Sequence, residues 1–178
     1  MKVLAIPGSL RAGSSNAALL RAAAALAPVG MQLLLYDGLG DLPHFNPDLD
    51  GEGQAPPAAV ARLRSLVSAS RGLVISSPEY AHGVPGSLKN ALDWLVSYSE
   101  FAGKPVVLIN ASPTGGAHAQ ASLVETLTTM SARVLADASL MTPVGRAKVD
   151  AEGNLSDPAL ASAVRRCLEA LEAAIRDG

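Results

Sequence analysis

The residues with the clearest chemical potential lie in the run Gly8-Ser9-Leu10-Arg11-Ala12-Gly13-Ser14-Ser15-Asn16. Its glycines let the backbone turn and come close to a ligand. Ser9, Ser14, Ser15 and Asn16 offer side-chain donors, and Arg11 adds a full positive charge. Set between a strand and a helix, the run also presents free backbone N–H groups and the positive end of the helix dipole. That donor set suits a phosphate monoester. The spacing of Gly8 and Gly13 imitates a nucleoside-triphosphate loop, but Ser14 stands where the lysine is needed, and the GxGxxG pattern of dinucleotide sites is missing. Read alone, the run also fits a serine-rich helix cap.

A second run, Pro78-Glu79-Tyr80-Ala81-His82-Gly83-Val84-Pro85-Gly86, combines a rigid proline turn with Gly83. Such a turn can direct backbone N–H groups at a flat ring, and an N–H aimed at the reactive nitrogen of a flavin favours its reduced form. The third run, Asn110 to His118, contains Ser112 and the pair Gly115-Gly116, small enough for a ring edge to lie against the backbone. Each of these also reads as an ordinary strand-to-helix loop. No GxSxG elbow is present. His44, His82 and His118 lack metal-ligand spacing. Many backbone donors with few general bases suit a bound cofactor that carries the chemistry itself.

These runs are useful only if the fold brings them together, and the hydrophobic pattern predicts that it does. Short apolar strands are expected at 2–6, 31–36, 72–76 and 105–109, with a fifth inside 133–140; helices are expected at 16–27, 56–69, 85–98, 117–131 and from Asp157-Pro158 to about Ile175. Strands and helices alternate, which specifies a parallel sheet covered on both faces. The expected architecture is a single α/β domain over 1–178, a flavodoxin-like three-layer sandwich with a five-stranded parallel sheet in the order 2-1-3-4-5. Ligands in such sheets bind beyond the carboxyl ends of the strands, where the winding reverses. All three runs follow strands at that place. The irregular stretch 37–55 is long for a compact domain, a length usually tied to function or mobility.

Composition narrows the partners. Of the residues, 49% are apolar and 17% charged, enough to bury a core, and the net charge of −2 has no basic run to meet nucleic acid. Cys167 is the single cysteine, so no intrachain disulfide forms. The apolar run 1–6 is too short for a signal-peptide core, and no stretch is long enough to span a membrane. A cytoplasmic location is the expectation.

The chain resembles the NAD(P)H-dependent FMN reductases, which include quinone, azo-dye and chromate reductases. The likeness is most specific at Gly8-Ser9-Leu10-Arg11 with Ser14-Ser15-Asn16, and at Pro78-Glu79-Tyr80 with Pro85-Gly86-Ser87-Leu88-Lys89-Asn90-Ala91-Leu92-Asp93-Trp94. It implies non-covalent FMN, with Ser9, Arg11, Ser15 and Asn16 on the phosphate and Pro78, Glu79, Tyr80 and Gly83 along the isoalloxazine ring. Ser112, Gly115 and Gly116 match the third flavin loop less tightly. It also implies NADPH or NADH as co-substrate, a small-molecule electron acceptor, and a homodimer or homotetramer. The family's second loop often reads Pro-Glu-Tyr-Asn-x-Ser-x-Pro-Gly. Ala81 and Gly83 replace its Asn and Ser here, removing two polar side chains.

Three functions are open on this reading. The first is an enzyme that moves hydride from NAD(P)H to FMN and two electrons to a quinone, flavin, azo compound or similar acceptor. The second is a one-electron carrier like flavodoxin, for which the charge of −2 is small. The third is a non-catalytic nucleotide-binding or oligomeric scaffold.

Overall fold

In the computed structural model, which describes all residues except 52, 114, 146, 151 and 152, the strands are β1 (Lys2–Pro7), β2 (Gln32–Leu35), β3 (Gly72–Ser76), β4 (Pro105–Ser112), β5 (Arg133–Val134) and β6 (Leu140–Pro143). The helices are α1 (Ser15–Ala25), α2 (Ala58–Ser68), α3 (Gly86–Asp93), α4 (Ala117–Thr129) and α5 (Pro158–Arg176). Thr114 of the third loop lies outside the described residues. The strand order is β2-β1-β3-β4-β5, every pairing parallel, as the alternating pattern predicts. The two-residue period of the strands sorts their side chains cleanly between two cores. Leu4, Ile6, Leu73, Ile75, Val106 and Leu108 face α2, α3 and α4. Val3, Ala5, Val74, Val107 and Ile109 face α1 and α5.

The fifth position of the sheet departs from expectation: two segments fill it in succession. β5 pairs with the start of β4 and β6 with its end, at registers Pro105↔Arg133 and Ile109↔Leu140. A 3-10 turn at Ala136–Ala138 separates them. The Ser139 hydroxyl bridges the gap, accepting the Leu108 N–H at 3.0 Å where a strand carbonyl would otherwise stand. With β6 in place, β4 runs three residues past the expected Ile109, and Asn110, Ala111 and Ser112 are all buried.

Helix α3 stops at Asp93, short of the expected 98. Arg64 explains the stop: its Nε and Nη2 donate to the Trp94 carbonyl at 3.1 and 2.7 Å, taking the place of a further turn's N–H. The stretch 37–55 is strapped to α3. The Pro43 carbonyl accepts from Trp94 Nε1 at 2.8 Å and Asn90 Nδ2 at 3.0 Å, and Phe45 N–H donates to Asn90 Oδ1 at 2.7 Å. The Phe45 ring meets Trp94 edge-on at 5.1 Å. Asp50 closes the strap on Arg64 at 2.8 Å, with both side chains largely buried. Among the described residues, no helix is long and apolar enough to cross a membrane.

Candidate flavin site

At the carboxyl ends of β1, β3 and β4 the three predicted loops converge. Gly8 begins the first, and its N–H donates to the Ser76 carbonyl at 2.8 Å. A Cβ here would lie 2.9 Å from Leu88 Cδ2 and 3.0 Å from Ser77 Oγ, so only glycine lets the first two loops approach this closely. Ser14 is the N-cap of α1 and accepts the Ala17 N–H at 3.2 Å. The N–H groups of Ser15 and Asn16 have no protein partner among the described residues, so they are open to an anion at the positive helix end. Arg11 is exposed and has no carboxylate partner among the described residues.

The second loop is a tight reverse turn. Tyr80 and Gly83 exchange N–H···O bonds of 3.0 and 2.9 Å, with Ala81 at φ 49° and His82 at φ 60° between them. Positive φ at both central residues is the pattern of a type I′ turn, usually given to Asn and Gly because a Cβ crowds the following carbonyl. Tyr80 is 54% exposed and reaches the first loop, its hydroxyl 3.3 Å from Ser9 Oγ. Glu79 turns the other way: its carboxylate accepts the Ala119 N–H at 2.9 Å, in the first turn of α4. The N-cap of that helix is Gly116, which has no side chain, so Glu79 supplies the cap from a neighbouring loop. His82 lies parallel to His118, ring centroids 4.2 Å apart.

In the third loop Gly115 and Gly116 take φ of 91° and 78°. A Cβ on Gly116 would stand 3.0 Å from Ser112 Cβ. The Ser112 hydroxyl is buried with no hydrogen-bond partner among the described residues. The hydroxyls of Ser70 and Thr142 are buried and unsatisfied in the same way, and Ser112 is the one of the three in the flavin loops.

The sequence reading brings most of its residues to one place, with two exceptions in orientation, the Glu79 carboxylate that caps α4 and the Asn16 side chain. The Asn16 side chain is buried and turned into the fold. Its Oδ1 accepts from Ser76 Oγ at 2.8 Å and from Ala111 N–H at 2.9 Å, while Nδ2 donates to the Ala111 carbonyl at 2.8 Å. Past the last β3–β4 pair the carboxamide thus satisfies β4 as a strand would. Only the Asn16 backbone N–H is left for an anion. Sequence reasoning missed Asn110, whose Oδ1 accepts the Ser77 N–H at 2.7 Å and whose Nδ2 bonds Gln120, joining the second loop to α4. The signal was available: a polar residue directly after an apolar strand, at a position the sheet buries.

Comparison with known proteins bears on this geometry. Residues 1–146 match the family described as NADPH-dependent FMN reductase. The chain belongs to that family. It is similar to an NAD(P)H-dependent FMN reductase of Pseudomonas aeruginosa, 37% identical over 99% of this chain and 96% of that one. A quinone reductase of Escherichia coli is 36% identical over 84% of this chain and 81% of its own. Among solved structures, the flavoenzyme NAD(P)H:(acceptor) oxidoreductase of Paracoccus denitrificans superposes with a TM-score of 0.83 at 29% identity, covering 99% of this chain and 97% of that one.

Proposed function

We propose that this family member binds FMN non-covalently across the three loops and acts as an NAD(P)H-dependent oxidoreductase on a small-molecule acceptor such as a quinone, a free flavin or an azo compound. The observation that carries the reading is the meeting at one sheet end, where the winding of the sheet reverses, of the α1 N-terminus, Arg11 and the buried Ser112 hydroxyl, none of them with a partner for its charge or N–H and O–H groups among the described residues. When bound, FMN supplies the redox chemistry, taking hydride from the nicotinamide and passing two electrons to the acceptor.

The chain's own residues bind and orient. Ser9, Arg11, Ser15 and the α1 N–H groups would hold the phosphate. The turn Tyr80–Gly83 would set the ring plane, with Pro78 behind it and Ala81 and His82 at its tip. Glu79 acts through α4: by capping that helix it fixes the third loop, where Ser112, Gly115 and Gly116 would meet the ring edge. Successive docking of nicotinamide and acceptor over one face of the bound flavin would stack the two rings in turn and supply proximity.

The visible spectrum of purified protein under nitrogen tests this. Flavin absorption that bleaches on adding NADPH or NADH and returns with a quinone is the expected result. Absorption that bleaches only with dithionite transfers the reading to a one-electron carrier. No flavin absorption after soaking in FMN overturns the site itself.

A further inference from the structure

At the amino-terminal end of the sheet, opposite the flavin loops, three adjacent parallel strands are each entered through a cation. Arg71 precedes Gly72 of β3, Lys104 precedes Pro105 of β4, and Arg133 opens β5. Arg71 stands opposite Lys104 in the β3–β4 register, and Arg133 pairs with Pro105, one residue further on; Lys104 is half-buried and both arginines are exposed. Together they line a cavity of about 440 Å³, a size within the range of small-molecule sites. Its remaining wall includes Glu100, Pro105 and Ile175.

The obvious structural duty of these cations uses little of their capacity. Lys104 Nζ donates to the Ser70 carbonyl at 2.7 Å. Arg133 Nη1 reaches the Ala174 carbonyl at 3.2 Å, and Arg71 Nη2 reaches that of Ile175 only at 3.4 Å, near the limit of a hydrogen bond. Two guanidinium forks and an ammonium carry many more N–H groups than this. None of the three forms an ion pair with a carboxylate among the described residues. Glu100, the carboxylate of Gly178 and the negative end of α5 offset most of the charge, and about half a positive charge still faces the cavity. Burial pulls the Lys104 ammonium below the ordinary lysine range, Glu100 raises it in part, and Arg71 lowers it again. A cation in that position gains from an added anion.

We propose that this cavity binds a small organic phosphate, at a site separate from the flavin loops. Arg71 and Arg133 grip the phosphate oxygens through their planar forks, Lys104 adds a central point charge, and Pro105 and Ile175 meet the organic part. A dianionic phosphate offers three oxygens to the three cations that line the cavity, more acceptors than a single carboxylate has.

The test uses purified protein saturated with FMN, so that the flavin loops are already filled. Phenyl phosphate and inorganic phosphate are titrated by calorimetry at ionic strength matched with chloride. Saturable binding is expected, tighter for phenyl phosphate. Lys104→Gln and Arg133→Gln each weaken it by about tenfold, the loss of one charge-assisted partner, while Lys104→Arg stays within about threefold of the unsubstituted protein. Unchanged FMN content shows that the variants fold. No saturable heat in the unsubstituted protein, or affinity in both glutamine variants equal to that of the unsubstituted protein, overturns the site. Phenyl phosphate no tighter than inorganic phosphate overturns the organic character of the ligand.

Discussion

Replacing Asn16 separates two roles that the residue type alone confuses. In Asn16→Ala the Ala111 N–H, the Ala111 carbonyl and the Ser76 hydroxyl all lose their side-chain partner. All are buried, and each unsatisfied group costs about 1–3 kcal/mol. Allowing for water entering the gap, the sum is about 4 kcal/mol. With a urea m-value of about 2 kcal/mol/M for a domain of this size, the unfolding midpoint of the flavin-free protein falls by about 2 M. FMN affinity of the folded fraction changes little, since the backbone N–H that faces the phosphate remains. Asn16→Asp adds a pH signature. Its second carboxyl oxygen would face the Ala111 carbonyl, which raises the folded-state pKa above the unfolded value near ~3.9. An acid raised on folding stabilises below its unfolded pKa and loses that contribution as pH rises toward the folded value. This variant should therefore be relatively weaker at pH 8 than at pH 5, whereas the alanine variant shows no such extra dependence. Urea melts of flavin-free protein and fluorescence titration with FMN decide the matter. A midpoint shift below about 0.3 M combined with a tenfold loss of FMN affinity would refute the structural role and restore Asn16 as a phosphate ligand.

Two other perturbations follow from the geometry. Ala81 holds φ 49° in the second loop, a conformation that costs an L-residue about 1–2 kcal/mol and glycine none. After the extra chain entropy of glycine, Ala81→Gly should gain about 0.5–1 kcal/mol and raise Tm by about 2–3 °C; a lower Tm by calorimetry would contradict the turn assignment. The strap depends on Asp50, whose carboxyl the Arg64 hydrogen bond holds below the usual carboxylate range against the opposing effect of burial. A depressed acid contributes stability above its unfolded pKa, about 4, and loses it as pH falls through the folded value. Asp50→Asn should cost about 3 kcal/mol at pH 7, the low end for a broken buried pair because Arg64 keeps the Trp94 carbonyl, and less at pH 3.5. A cost that does not shrink on acidification, measured by denaturant unfolding at both pH values, would rule out the ion pair as its source.

Local chemistry made much of the fold readable. Gly72–Ser76 is a strand at its expected limits because five consecutive residues are buried on both faces, and Asp157-Pro158 opens α5 because cap and first-turn preferences coincide. What escaped reading depends on partners distant in sequence. Asn110 and Ser112 look like loop residues until β6 is known to run beside them. The stretch 37–55 looks free until Trp94 and Asn90 are seen to share the Pro43 carbonyl. Ala81 gives no sign of positive φ and His82 only a weak one, since histidine takes it more often than most residues; the turn is imposed by the bonds between Tyr80 and Gly83. At the site, the loops were legible from glycine, serine and proline content, and the direction of each side chain was not. Asn16 and Glu79 carry ligand-like groups that the fold spends on itself.

The split fifth strand bears on how copies of this chain can meet. An unbroken outer strand offers a row of unpaired peptide groups onto which another molecule can add its own strand. Here one margin of the sheet is divided by the turn at Ala136–Ala138, and its longer piece, Leu140–Pro143, spans four residues and closes on a proline that has no N–H to give. The opposite margin, Gln32–Leu35, is equally short. Neither gives a growing ribbon much to hold, so the molecule is protected against open-ended, sheet-to-sheet polymerisation, and any contact between copies would fall to its helical faces and loops.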